Sequence, residues 1–184
     1  AIRALEELVC TATAAQAALA AALDDSVRAA EEDAGVPADG RGRGVASMVA
    51  LARRESPHRG RRHLGMAKVV PVELPHTWAA WTSGRITEWT TTLIARETAC
   101  LTVEHRLAVD AAVAADPARL EALSEARLIG LLRSEAERLD PASVVTRRRK
   151  AEAERRVTLR PAPDTMTYLT ALLPVKDGVA VLAA

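Results

Sequence analysis

Apolar residues recur at helical spacing along most of the chain. Ile2, Leu5, Leu8 and Val9, then Leu19, Leu23 and Val27, predict one long helix over residues 2–34. No Pro or Gly interrupts it before Gly35-Val36-Pro37, which reads as a C-terminal stop. Residues 35–44 read as a Gly-rich loop that either drapes over phosphates or serves as a linker. A short helix follows from Val45 to about Arg54, with Val45, Met48, Val49 and Ala52 on one face. Ser56-Pro57 is a start signal, because the hydroxyl accepts an orphan N–H and Pro lacks one. The helix it opens is expected over 58–70, ended by Pro71. Gly60 and Gly65 weaken it by roughly 1 kcal/mol each relative to Ala. Either they allow close approach to something, such as a phosphate, or packing rescues a poor helix. Further helices are expected at 75–83 (closed by Gly84), from Thr87 through Glu97, from Thr102 to about Ala115, at 117–123 merging into 125–138, and at 141–155. After Arg155 the period changes to two. That change predicts a strand at 156–160, a turn, and a strand at 166–172, with another helix starting at Val175.

The expected fold is therefore all-α: a helical bundle containing a helix-turn-helix-like unit at 45–70, with a C-terminal β-hairpin. Its organisation is a long acidic N-terminal helix (1–40), a helical domain (41–155), and the hairpin with the start of a downstream element (156–184). Composition agrees. Roughly a fifth of the chain is Ala, the best helix former, with no Phe, one Tyr and three Trp. Trp78, Trp81 and Trp89 are expected to supply core bulk before they would stack bases. Two cysteines, Cys10 and Cys100, are too few for a disulfide framework and point to the cytoplasm. The apolar run from Cys10 to Leu23 is short of the roughly 20 residues that a membrane span needs. The first residue is not Met, so a fragment of a longer protein is expected.

The formal net charge of +1 hides a strong asymmetry. Residues 1–40 carry eight carboxylates against two arginines, and residues 41–68 carry eight Lys and Arg against Glu55 alone. Residues 147–160 are basic again, with Arg147, Arg148, Arg149, Lys150, Arg155, Arg156 and Arg160 against Glu152 and Glu154, and they open on the run 147–150. It reads as the solvated face of a late helix or as a second phosphate-tracking stripe. The helix expected after Ser56 carries long donors on its first turns, as a helix entering a major groove needs. The candidate DNA-binding residues are Arg41, Arg43, Arg53, Arg54, Ser56, His58, Arg59, Arg61, Arg62 and Lys68. Arg59, Arg61 and Arg62 would lie on the groove side, with Arg53 and Arg54 on phosphates. Arg pairs with guanine, while adenine readout prefers the Asn and Gln that this region lacks.

No catalytic residue, metal site or cofactor is expected. The chain has no Asn, four scattered His and no CxxC, HxxxH or HExxH spacing. The Gly-rich 40–44 lacks the Lys-Ser/Thr of a P-loop. His76 is expected to be a buried or half-buried structural residue. Glu104, His105 and Asp110 are expected to face water.

The chain resembles the 13E12 repeat family of actinobacterial proteins, the domain of unknown function numbered 222. The residues that carry this are Leu74-Pro75-His76-Thr77, Ala80 and Gly84-Arg85-Ile86-Thr87; the run Ile94-Ala95-Arg96-Glu97-Thr98; and Arg155-Arg156-Val157-Thr158-Leu159-Arg160-Pro161 leading to Asp164-Thr165-Met166-Thr167-Tyr168-Leu169. Such proteins often carry a C-terminal HNH endonuclease domain and occur in mobile-element contexts. The resemblance implies that the full-length parent has a downstream nuclease domain and that this chain targets it to double-stranded DNA. A second likeness is to the helix-turn-helix of ParB/KorB-type partition proteins, on Ser56, Leu74, Pro75, Gly84, Arg85 and Ile86, with Gly60 and Gly65 as departures. The alternative reading is a protein-interaction module, a homodimer in which the acidic helix 1–34 pairs with the basic segment 41–68. No membrane partner is expected.

Overall fold

The computed structural model describes residues 1–183, with all of their side chains except those of Ser143, Val144, Thr146, Arg147 and Arg148. Arg147 and Arg148 of the basic run 147–150 therefore lie outside the described residues. Capping chemistry sets several helix starts. Ser56, Thr87, Thr102 and Asp116 each accept a backbone N–H from the first turn of the helix that follows. Between these starts run α1 (Ile2–Asp33), α2 (Val45–Ala52), α3 (Pro57–Glu73), α4 (Pro75–Thr82), α5 (Glu88–Thr98), α6 (Val103–Ala114), α7 (Pro117–Glu121), α8 (Glu125–Leu139), α9 (Pro141–Ala153) and α10 (Val175–Ala183). A single antiparallel hairpin, β1 (Arg156–Pro161) and β2 (Thr167–Leu172), separates α9 from α10. The fold is all-α with a C-terminal hairpin. It divides into two compact units, Ala1–Leu139 and Asp140–Ala184.

Three helices of the first unit end in the same way. Gly35 and Gly84 take positive φ, and the next N–H reaches back to a carbonyl five residues earlier (Val36 to Glu31, Arg85 to Ala80). At the end of α2 the same bonding forms from Glu55 to Ala50, but the positive-φ position is Arg54. The core is built from Trp81, Leu74, Leu93, Ile94, Leu132 and Val109, all essentially sealed from solvent. Trp78 meets Trp81 edge to face at 5.7 Å and is half-buried, while Trp89 is 46% exposed.

Of the stripe that marks α1 in the sequence, half-buried Leu23 and Val27 pack against the core and the rest does not. Cys10, Ala14, Ala17, Ala20 and Asp24 face the core, while Ile2, Leu5, Leu8, Val9 and Leu19 are exposed. Small side chains let neighbours come close. A Cβ on Gly84 would lie 2.8 Å from the Glu7 carbonyl oxygen, and the Trp81 indole donates to Thr13 Oγ1 at 3.0 Å.

Four expectations are corrected. Pro71 does not stop α3, which runs on to Glu73. Proline removes one hydrogen bond there, and burial of Ala67, Val70 and Leu74 holds the helix across the gap. α7 and α8 stay separate. His76 is exposed; its backbone, not its ring, is what the fold uses. Asp110 does not face water. It is fully buried, and its carboxylate accepts from the N–H groups of His76 (2.7 Å) and Thr77 (3.1 Å) and from the Thr77 hydroxyl (2.5 Å). A carboxylate from α6 thus caps α4, where the helix dipole favours negative charge.

In the second unit the hairpin turns through Asp164 and Thr165, both at positive φ. Its register pairs Val157 with Ala171 and Leu159 with Leu169 on one face, and Thr158 with Thr170 and Arg160 with Tyr168 on the other. No described residue of this unit is buried.

Candidate nucleic-acid interface

The basic segment folds as α2, a four-residue connection and α3. The two helices meet at Gly60, where a Cβ would lie 2.2 Å from the Ala46 carbonyl oxygen and 2.6 Å from the Ala50 methyl. Gly60 therefore serves helix-to-helix contact and is buried, which removes it as a place for a phosphate. Gly65 has open space around it.

Beneath the connection sits an ionic cluster. His63 is buried, with Nε2 2.8 Å from Glu55 and Nδ1 2.7 Å from Glu88. Arg53 joins the cluster through Glu88 at 3.1 Å and also donates to Gln16. Burial pushes the Glu55 carboxyl up, but His63, Arg53 and Arg59 outweigh it and hold it below the usual range.

These contacts divide the ten sequence candidates. Arg41 is ion-paired to Glu32 and donates to the Val36 carbonyl, and Arg43 lies 3.8 Å from Asp39. Arg53 belongs to the His63 cluster. Ser56 caps α3. Lys68 pairs with Asp24, which also holds Arg28. Burial acts to raise the Asp24 carboxyl, and the two cations reverse this and keep it low. Arg54, His58, Arg59, Arg61 and Arg62 remain, all exposed around the first turns of α3. Arg59 is 58% exposed and 3.8 Å from Glu55. Among the described residues no carboxylate lies within ion-pair distance of Arg54, Arg61 or Arg62.

Many of the residues that carry the family likeness turn out to be joints. Leu74 is sealed in the core, Pro75 opens α4, and the backbone of His76 and Thr77 is held by Asp110. Gly84 ends α4, Arg85 pairs with Glu121, and Thr87 caps α5. Residues 4–184 match the family described as a domain of unknown function, DUF222. The chain belongs to DUF222. No curated protein and no solved structure matches it.

In this DUF222 chain the second basic block was legible as charge and as a strand, but not as a surface. The register of the hairpin brings Arg156, Thr158, Arg160, Tyr168 and Thr170 to one exposed face, with the Arg160 guanidinium 4.6 Å from the centre of the Tyr168 ring. Period-two alternation from Arg156 to Arg160 carried that signal. Among the described residues no group of three or more His, Cys, Asp or Glu could hold a metal ion. Nor is any helix among them long and apolar enough to cross a membrane.

Proposed function

We propose that this chain binds double-stranded DNA, acting as the targeting module of an HNH-nuclease-associated protein. The start of α3 is the contact surface. Arg59, Arg61 and Arg62 approach the groove from the helix, and Arg54 and His58 flank it at the phosphates. In this reading α2 and α3 form a helix-turn-helix, with Gly60 setting their close packing.

One observation supports this above the others. Arg54 occupies a left-handed position, φ +55, where glycine is favoured. A non-glycine residue there costs roughly 1–2 kcal/mol. A long cationic side chain kept in such a place, exposed and next to three more arginines, points to an anionic partner. The capped N-terminus of a 17-residue helix adds a partial positive charge at the same spot. The cationic hairpin face is a second surface of the same chemistry, since a two-stranded ribbon also fits a major groove.

The test is fluorescence anisotropy with a labelled duplex. The Arg59/Arg61/Arg62→Ala variant should bind at least about 30-fold more weakly while keeping its thermal stability. Equal binding by variant and wild type overturns the assignment. Part of the charge complementarity behind the dimer alternative is used within one chain, in the Asp24–Lys68 and Glu32–Arg41 pairs.

A further inference from the structure

The exposed cations at the start of α3 do not share one side of the helix. The buried positions Gly60, His63, Met66, Ala67 and Val70 fix the side that packs into the unit. At about 3.6 residues per turn, the opposite side carries His58, Arg61, Arg62 and Gly65, spaced by the steps of three and four that share a helix face. All four are exposed. Arg59 falls outside this face, toward Glu55 at 3.8 Å. Lys68, one turn beyond Gly65, pairs with Asp24.

Two features suit this face to base edges as well as phosphates. The first is relief. Gly60 is explained by its contact with α2, but Gly65 has open space around it, so packing gives no reason for so poor a helix former there. Bare backbone one turn past Arg61 and Arg62 lets the helix sit lower in a major groove, where base edges come within reach. The second is chemistry. A guanidinium has five donors and no acceptor. Glu55, the one carboxylate of residues 41–68, is held by His63, and the Ser56 hydroxyl caps α3. Cytosine N4 and adenine N6 are donors and need an acceptor opposite them. Guanine presents two acceptors, O6 and N7, matched to the fork of one guanidinium.

We infer that Arg61 and Arg62 each take a guanine in the major groove, so that the preferred duplex carries G·C pairs beneath the first two turns of α3. This rests on the reading of α3 as a DNA-contacting helix and adds the base it selects.

Fluorescence anisotropy of the 184-residue chain with three duplexes of equal length and identical flanks tests it. The inner pairs are all G·C, all A·T, or G·C with 7-deazaguanine, which keeps Watson–Crick pairing and removes the N7 acceptor. Wild type should bind the G·C duplex at least about 10-fold more tightly than either of the others, because one bidentate Arg–guanine pair discriminates by roughly 5- to 150-fold. The 7-deazaguanine arm uses wild-type protein alone and separates base contact from the shape of G·C-rich DNA. Arg61→Ala/Arg62→Ala should bind all three duplexes alike. Gly65→Leu should weaken binding to the G·C duplex by at least about 5-fold with no fall in melting temperature. Gly130→Leu, at an equally open glycine of α8, should leave binding unchanged. Equal binding of the three duplexes by wild type overturns the guanine assignment and leaves DNA binding standing, and so does full-strength binding by Gly65→Leu. Failure to bind any duplex overturns both.

Discussion

Asp110 offers the sharpest mutational test of the packing. Its carboxylate is fully buried and accepts three hydrogen bonds, two from backbone N–H groups and one from the Thr77 hydroxyl. Asp110→Ala removes the acceptor and leaves all three donors. Loss of a helix cap costs about 0.5–2 kcal/mol, and a buried donor left unsatisfied costs about 1–3 kcal/mol. Thr77 is itself fully buried, so water cannot easily replace the carboxylate there. We expect Asp110→Ala to destabilise by about 3–5 kcal/mol. Thr77→Val keeps shape and removes one donor, and should cost about 1 kcal/mol alone. In the Asp110→Ala background its cost should vanish or reverse, giving a coupling of about 1–2 kcal/mol. Urea unfolding followed by circular dichroism measures all four proteins, and a constant m-value validates the comparison. A loss below about 1 kcal/mol for Asp110→Ala, or additive effects in the double variant, would refute this reading of the cap.

Gly60→Ala should destabilise by about 1–3 kcal/mol, because its Cβ would collide with the backbone of α2, whereas Gly65→Ala, in open space, should stabilise by up to about 1 kcal/mol; thermal melts separate them. Arg54→Gly should relieve left-handed strain and raise stability by about 1 kcal/mol while weakening duplex binding, as melting and anisotropy on the same samples would show. Asp24 and Glu55 are held below their unfolded pKa values, near about 3.9 and 4.3, so the stability they add is whole above those values and is lost as pH falls through the lower folded ones. An Asp24→Asn/Glu55→Gln variant should therefore lose less stability than wild type between about pH 5 and pH 2 in a urea series.

Local punctuation was legible in the sequence. Ser56-Pro57, Asp116-Pro117, Gly35 and Gly84 act through their own backbone chemistry, and each marks an element boundary within a residue or two. The hairpin was legible for the same reason, from its change of period. What periodicity could not show was which face of α1 packs. The leucine stripe and the alanine stripe both have helical spacing, and only the partners decide. Here Trp81 and the Gly84 turn demand small side chains opposite them. Asp110 was misread because nothing local distinguishes a buried cap from a solvated acid; its donors lie 33 and 34 residues away. The candidate interface was legible as charge but not as geometry. Arg53 and Lys68 look like their neighbours in sequence, and only the fold brings Glu88 and Asp24 to them.

The central claim is that the arginines at the start of α3 lie against DNA, where their charge displaces counterions whether they reach the groove or a phosphate. Counterion release measures this directly, because each neutralised phosphate contributes about −0.9 to the slope of log K against log salt. With Arg54, Arg59, Arg61 and Arg62 engaged, wild type should show a slope of about −3 to −4, and the Arg59/Arg61/Arg62→Ala variant should be shallower by about 2–3. A slope near zero for wild type, or the same slope for both proteins, contradicts the account.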